Sequence, residues 1–143
     1  MKNKIFILLI ILFLSGCATA VTRLEQRKNQ NTDTTEVMIN CDISTAKKIV
    51  KEAFKEFNLI ERPQLGKENF IFANTGYGDY WLSVLFAPSY VRIGCFFNYD
   101  EKKKSTTIFI AEEKLILNKP IRYTLSDRIK VKSLDYNKST KNE

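Results

Sequence analysis

One stretch of the chain carries apolar side chains at helical spacing without interruption, and it limits the possible folds more than any other feature. The apolar positions recur every three or four residues and are Ala46, Ile49, Val50, Ala53, Phe54 and Phe57. Lysines and glutamates occupy the opposite side, so the pattern predicts an amphipathic helix. Asp42 or Ser44 is positioned to cap its first turn, and Asn58 can end it in the left-handed conformation. Such a helix needs a second apolar layer to cover its stripe.

Stretches that alternate between apolar and polar residues surround this helix, as half-buried strands do. The predicted strands are residues 36–41 before the helix and residues 59–60, 69–75, 80–86, 90–99 and 106–111 after it. Glycine and proline signals mark several of the turns between them. The order predicts an α+β fold in which one amphipathic helix packs on a mainly antiparallel β-sheet, in a β-α-β meander.

The length of the chain predicts a single α+β domain, over residues 36–134. Within residues 112–134 the pattern is weaker. Residues 129–132 (Ile-Lys-Val-Lys) alternate as an amphipathic strand would, so we expect an extra strand or a packed extension there. Residues 135–143 are polar and predict a disordered tail.

The start of the chain has the features of a signal peptide. Lys2 and Lys4 provide positive charge, and the run from Ile5 to Leu14 contains no polar side chain. Ten helical residues span about 15 Å, half of the ~30 Å hydrocarbon core, so the run is too short for a transmembrane helix. It suits the apolar region of a signal peptide. The tetrapeptide that follows, Leu14-Ser15-Gly16-Cys17, resembles the lipobox of bacterial lipoprotein precursors.

This resemblance implies that residues 1–16 are removed and that Cys17 is lipidated. Lipoproteins of this class carry a diacylglycerol on the cysteine sulfur and often a third acyl chain, such as palmitate, on the new amino terminus. Two or more acyl chains anchor a protein stably to a membrane without spanning it. Residue 18 is alanine rather than aspartate, which in a Gram-negative host favours the periplasmic face of the outer membrane. The remainder of residues 17–35 is polar and predicts a flexible tether with a span of about 20–25 Å.

The chain is basic. It has 23 lysines and arginines, and removal of two of them with the signal peptide leaves 21 against 16 acids. Such an excess usually indicates nucleic acid as a partner. A lipid-anchored, exported protein does not normally meet nucleic acid, so we predict none. The positive charge can instead attract the protein to an anionic membrane surface, but scattered, solvated lysines explain the excess better than either partner.

Histidine is absent from the chain. Its absence removes the commonest general base and the commonest metal ligand, and it excludes nucleophile–histidine pairs. Ser44 and Lys47 match an S-x-x-K spacing, but helix capping by Ser44 explains that serine better. The carboxylates are dispersed and form no calcium-loop motif, and no glycine-rich phosphate loop occurs. We therefore predict a protein that is not an enzyme, with no catalytic residues, no metal, no cofactor and no small-molecule substrate.

Two cysteines remain in the mature chain, Cys41 and Cys95, and both fall on predicted inward-facing strand positions. An oxidising compartment permits them to form a disulfide. The alternative is a pair of buried free thiols that pack as small apolar side chains. Sequence spacing does not decide between these, because it does not fix the distance between the two residues.

Two surface features are candidates for binding. Tyr77, Asp79, Tyr80 and Trp81 surround a glycine-bracketed turn, where exposed aromatic residues could anchor a protein partner. Core packing of Trp81 is the alternative. Lys102–Lys104 form a predicted hairpin tip that could contact lipid phosphate or an acidic partner, or could protect the sheet from edge pairing.

Taken as a whole, the sequence predicts a membrane-anchored bacterial envelope lipoprotein that acts as a non-catalytic binding or assembly module on the periplasmic or outer side. Its expected partners are the membrane, through the N-terminal acyl chains, and an envelope protein. The alternative is an immunity or inhibitor lipoprotein that neutralises an exported toxin or hydrolase. An enzyme that acts on cell-wall glycan or lipid ranks last, because no catalytic group supports it.

Overall fold

In the part of the chain that the structure describes, five strands form an antiparallel sheet with helices on both faces. The computed structural model describes residues 20–75, 91–114 and 120–139. Along the chain, the elements are α1 (20–30), β1 (Thr34–Ile39), α2 (Ile43–Glu56), β2 (Leu59–Glu61), a short 3-10 turn (Pro63–Leu65), β3 (Phe70–Thr75), β4 (Val91–Asp100), β5 (Ser105–Lys114) and α3 (Arg122–Ser139). The strand order is β1-β5-β4-β3-β2, and every neighbouring pair is antiparallel. The predicted α+β fold is confirmed.

The register of β4 and β5 defines the two ends of the sheet. Val91 lies opposite Lys114, and Asp100 lies opposite Ser105. We call the first the Lys114 end and the second, where residues 101–104 turn, the hairpin end. At the hairpin the Asp100 side chain accepts hydrogen bonds from the backbone N–H groups of Lys102 and Lys103, at 3.0 and 3.2 Å. Nine residues of strand separate the two ends, which is about 30 Å.

The first face of the sheet is covered by α2, the helix predicted from the apolar stripe. Its buried residues are Ala46, Ile49, Val50, Ala53 and Phe54. The cap is also as predicted, because the Asp42 side chain accepts a hydrogen bond from the Thr45 N–H at 2.7 Å. Asn58 adopts the left-handed conformation, with φ 53°. The predicted strands on either side of α2, and those at residues 69–75, 90–99 and 106–111, are confirmed with shifts of a few residues at their ends, whereas the predicted strand at 80–86 lies outside the described residues.

A second helix, α3, packs beside α2 on the same face, and it corrects two predictions. Residues 129–132 are helical rather than extended, and residues 135–139 continue the helix rather than starting a disordered tail. Four residues of alternation are too few to distinguish a strand from a helix. The helical spacing of Leu125, Ile129 and Ser133 buries these three, whereas Val131 points away from the core.

The second face of the sheet is covered by α1, so the prediction of a flexible tether is wrong for residues 20–35. Ala20 and Leu24 are 1% and 0% exposed. They pack with strand residues that point to this face, mainly Phe70, Phe72, Phe96 and Ala111. Because the strands carry large apolar side chains on both faces, a short helix with few apolar residues of its own is enough to complete the layer. None of the described helices combines the length and apolar character of a membrane-spanning segment.

Candidate functional site

The structure describes only some of the residues predicted to have a role. Cys17 lies outside the described residues, and so do Tyr77, Asp79, Tyr80 and Trp81. The described residues on either side of these four are Thr75, at the end of β3, and Val91, at the start of β4. Both lie at the Lys114 end of the sheet.

The two remaining cysteines are free thiols that lie far apart. Cys95 lies opposite Ile110 on β5, whereas the Cys41 carbonyl accepts a hydrogen bond from the Thr106 hydroxyl at 2.7 Å. Four residues of β5 separate these partners, about 13 Å along the strand. Disulfides join Cα atoms no more than about 7 Å apart. The possible disulfide is therefore not formed, although both cysteines face the same apolar core, as predicted.

The environment of both thiols keeps them protonated. Burial and, to a smaller extent, the neighbouring Asp42 carboxylate together raise the pKa of Cys41 to about 11. Complete burial also raises the pKa of Cys95. Since the thiolate is the reactive form, neither side chain is an activated nucleophile at neutral pH.

The most concentrated polar arrangement of the described residues lies where α1 and α3 meet the end of β5. We call it the charged junction, and its members are Arg23, Arg27, Asp33, Arg92, Glu112, Glu113 and Arg122. Glu112 and Glu113 are adjacent on a strand, so their side chains point to opposite faces of the sheet. Each acid therefore has its own arginine partners, Arg23 and Arg92 for Glu113 on one face and Arg122 for Glu112 on the other.

On the second face, Glu113 binds two arginines. Its Oε1 lies 2.9 Å from Arg23 Nε of α1, and its Oε2 lies 3.0 Å from Arg92 Nη1 of β4. The Arg92 side chain is buried, and it lies opposite Glu113 in the strand register. Burial makes this pair costly to break, because the buried guanidinium would lose a charged partner that offsets its lost solvation. Glu113 thus joins the start of α1 to the sheet.

On the first face, the fully buried Glu112 carboxylate holds the start of α3. It accepts hydrogen bonds from the backbone N–H groups of Ile121 and Arg122, at 3.0 and 3.2 Å, and from Arg122 Nη1 at 3.2 Å. A carboxylate at a helix N-terminus satisfies free N–H groups and matches the helix dipole. Arg122 Nη2 also lies 3.4 Å from Asp33, which pairs with Arg27 of α1. The two groups of the junction therefore both reach α1.

Arg122 is the central cation of this network. Burial alone would lower its pKa, but hydrogen bonds to Tyr123 and Glu112 outweigh burial, and the pKa is raised overall. The Tyr123 ring also lies against the guanidinium, 4.7 Å from its centre. Arg122 therefore stays charged at any physiological pH.

This arrangement links α1, the sheet and α3 to one another. Both buried-strand acids are held by arginines, which do not exchange protons in the physiological range. Among residues 20–75, 91–114 and 120–139, no three acids or cysteines are placed to hold a metal ion together. The charged junction was missed from the sequence. The signal that could have revealed it is the pair Glu112-Glu113 at the end of a strand, because at least one of two adjacent strand acids must face a covered layer.

The lysine hairpin forms as predicted, at the opposite end of the sheet. Residues 101–104 are all exposed, and Lys103 makes a loose ion pair with Asp100 at 3.8 Å. The junction acids Glu112 and Glu113 and the hairpin are thus about 25 Å apart along the strands.

No protein-family model matches the chain, and no curated protein is significantly similar to it in sequence.

Proposed function

We propose that this chain is a bacterial envelope lipoprotein, lipidated at Cys17, whose domain acts as a non-catalytic binding or assembly module held against the membrane surface. The signal-peptide features of residues 1–16 and the lipobox support the lipid anchor. The described thiols and acids support a role in binding, since the thiols are protonated and the junction acids are held by arginines.

The observation that carries the proposal is the position of α1. This helix is folded and buried from Ala20, only three residues after Cys17 in the sequence. The charged junction then fixes α1 to β4, β5 and α3 through Arg23, Arg27 and their acidic partners. A lipid anchor at Cys17 would therefore be joined to the whole domain rather than to a loose tether.

The outward side of α3 supports the role in binding. Tyr123, Val131 and Leu134 are 54%, 44% and 61% exposed. Their spacing of eight and three residues places them on one side of the helix. Val131 and Leu134 are i,i+3 neighbours on that side, whereas the exposed Asp127 and Lys130 lie between them and Tyr123. Exposed apolar neighbours such as Val131 and Leu134 can contact a protein partner.

Intact-mass analysis of the protein purified from bacterial membranes tests the anchor. We expect a chain that starts at residue 17 and carries the mass of the acyl groups, and a Cys17→Ser variant that leaves the membrane fraction. An uncut, unacylated wild-type chain would overturn the proposal.

Cross-linking in intact cells tests the binding module. We expect the acylated protein to capture a specific envelope protein, and a Leu134→Lys variant to lose it. Met38→Lys is the matched control, because Met38 is also an exposed apolar residue but lies on β1, on the other side of the sheet. Equal capture by both variants would argue against α3 as the contact surface.

A further inference from the structure

The two edge strands of the sheet differ in how well they are protected against further pairing. β2 has only three residues, and Pro63 follows soon after its end. Short strands and prolines are common protection for a sheet edge. β1 has six residues with a single charged side chain, Glu36, and no proline. Of the described strands only β5 pairs with β1, so its outer edge is the place where another strand can be added.

The hydrogen-bond pattern shows which backbone groups lie on this outer edge. The Asp33 carbonyl accepts a hydrogen bond from the Glu112 N–H at 3.1 Å, so the backbone of residue 33 points towards β5. The direction of these groups alternates along an antiparallel strand. The N–H and C=O groups of Thr34, Glu36 and Met38 therefore point outward. The side chains of Glu36 and Met38 are exposed as well.

Helix α3 lies beside the same edge. Its Arg128 and Lys132 both pair with Glu56 of α2. Lys130 is two residues from each of these cations, so it points away from α2, and Leu134 shares its side of the helix. Since α2 packs on β2 and α3 packs on β1, this side of α3 borders the outer edge of β1. Leu134 is 61% exposed there.

We propose that β1 pairs antiparallel with β1 of a second copy of this chain, about a two-fold axis at Val37, so that the two sheets become continuous. In this register Glu36 lies opposite Met38 of the second copy. An axis at Glu36 would instead place two carboxylates opposite each other, which is destabilising. Of the registers that avoid this clash and match the outward backbone groups, the axis at Val37 keeps the longest overlap. The pairing goes beyond the proposed function, because it needs no lipid anchor.

The spacing of the helices fits this arrangement. Each α3 packs above β1 and β5, and neighbouring strands lie about 4.8 Å apart. Two α3 helices related by the axis would therefore lie about 10 Å apart, a distance at which helices pack. Each helix has 18 residues, so this contact would extend well beyond the paired strands. It would cover Leu134, whereas Val131 points away from the sheet and stays exposed for a different partner.

Disulfide cross-linking tests the pairing and its register. Full-length Glu36→Cys and Met38→Cys, each in a Cys41→Ser background, would be produced separately and together in the same cells, and then oxidised with copper phenanthroline. Directly opposite positions have Cα atoms about 5.5 Å apart, within reach of a disulfide. Identical positions lie about 7–8 Å apart in this register, beyond that reach. We expect a covalent dimer on a non-reducing gel only when both variants are present.

Two controls accompany the cross-linking. The Cys41→Ser parent gives the background, and Lys103→Cys, an exposed position on the hairpin, reports random collisions. Equal cross-linking of either single variant, or of Lys103→Cys, would overturn the pairing. Cross-links from positions 36 and 38 to a different protein, without a dimer, would also overturn it and would assign the edge to a partner's strand.

Sedimentation equilibrium in density-matched detergent provides a second test. We expect twice the chain mass for the wild type and the single chain mass for Glu36→Pro, which lacks one outward N–H but keeps the ladder to β5. Both proteins carry the same N-terminal groups, so sharing of a micelle does not produce the difference. A wild type at the single chain mass would overturn the pairing. Intact mass on the same samples reports acylation, so an unacylated chain that still dimerises contradicts only the proposed function.

Discussion

The two faces of the sheet are covered in different ways. On the first face, α2 and α3 bury a continuous apolar cluster that extends from Val37 to Ile129. On the second face, α1 contributes only Ala20 and Leu24 as fully buried residues, and the strands supply the phenylalanines. Ion pairs at Glu113 and Asp33 add to the attachment of α1. The first face is therefore held mainly by apolar burial, and the second by a smaller apolar area together with the charged junction.

Substitution of Phe54 by alanine should have the largest effect, because this side chain lies at the centre of the first face and is 2% exposed. Loss of a buried phenylalanine leaves a cavity and typically lowers the free energy of unfolding by about 3–5 kcal/mol. Urea denaturation followed by circular dichroism measures it. A loss smaller than that of the second-face variant Leu24→Ala would reverse the comparison between the two faces.

Leu24→Ala should lower the free energy of unfolding by about 2–3 kcal/mol. This is near the low end for a buried leucine, because α1 can shift towards the sheet and partly fill the cavity. Proteases should also cleave within residues 20–33 more readily than in the wild type. Leu134→Ala is the control, since an exposed leucine contributes within about 0.5 kcal/mol. Unchanged cleavage of the Leu24→Ala variant would show that α1 is held mainly by its ion pairs.

Gly94→Ala tests how closely α1 approaches the sheet. A Cβ at this position would lie 2.8 Å from Phe70 Cε2 and 3.2 Å from Leu24 Cδ1. Overpacking of this kind typically lowers stability by about 1–3 kcal/mol, and we expect about 1–2 here because the contacting atoms are side-chain ends. The loss should be smaller in a Leu24→Ala background, because one of the crowded atoms is then absent. Equal losses in both backgrounds would place the strain in the phenylalanines instead.

Glu56→Gln should have the smallest effect, and the effect should depend on pH. Hydrogen bonds from Arg128 and then Lys132 lower the pKa of Glu56 from 4.5 to about 2. A depressed pKa in the folded state means that the contribution to stability is present above pH 4.5 and disappears as the pH falls towards 2. The variant should therefore be slightly less stable than the wild type at pH 7 and equal to it near pH 2. Glu36→Gln, at an exposed position, is the control, and a pH-independent difference would contradict the ion-pair explanation.

Much of the first face could be predicted from the sequence. The stripe from Ala46 to Phe57 has helical periodicity over several turns, and the Asp42 cap and the Asn58 stop agree with it. The strands alternate over several residues as well. Local pattern and tertiary structure agree in this region, so the prediction was confirmed.

The second face could not be predicted in the same way. Residues 20–30 contain too few apolar side chains to form a stripe, and their burial depends on phenylalanines that lie more than 40 residues later in the chain. Phe96 was the available signal, because it places a large apolar side chain on the supposedly exposed side of β4. Gly94 was a second signal in the sequence, because a glycine within a strand often marks a close approach of another element, here Leu24.

The dependence of α1 on distant strands also sets an order of events during folding. Leu24 packs against residues of β3, β4 and β5, so its packing surface exists only after these strands have paired. Long-range contacts of this kind form late in folding. Closing of α1 onto the sheet therefore comes last. Pulsed hydrogen exchange during refolding should accordingly show protection of β4 and β5 before protection of residues 20–30.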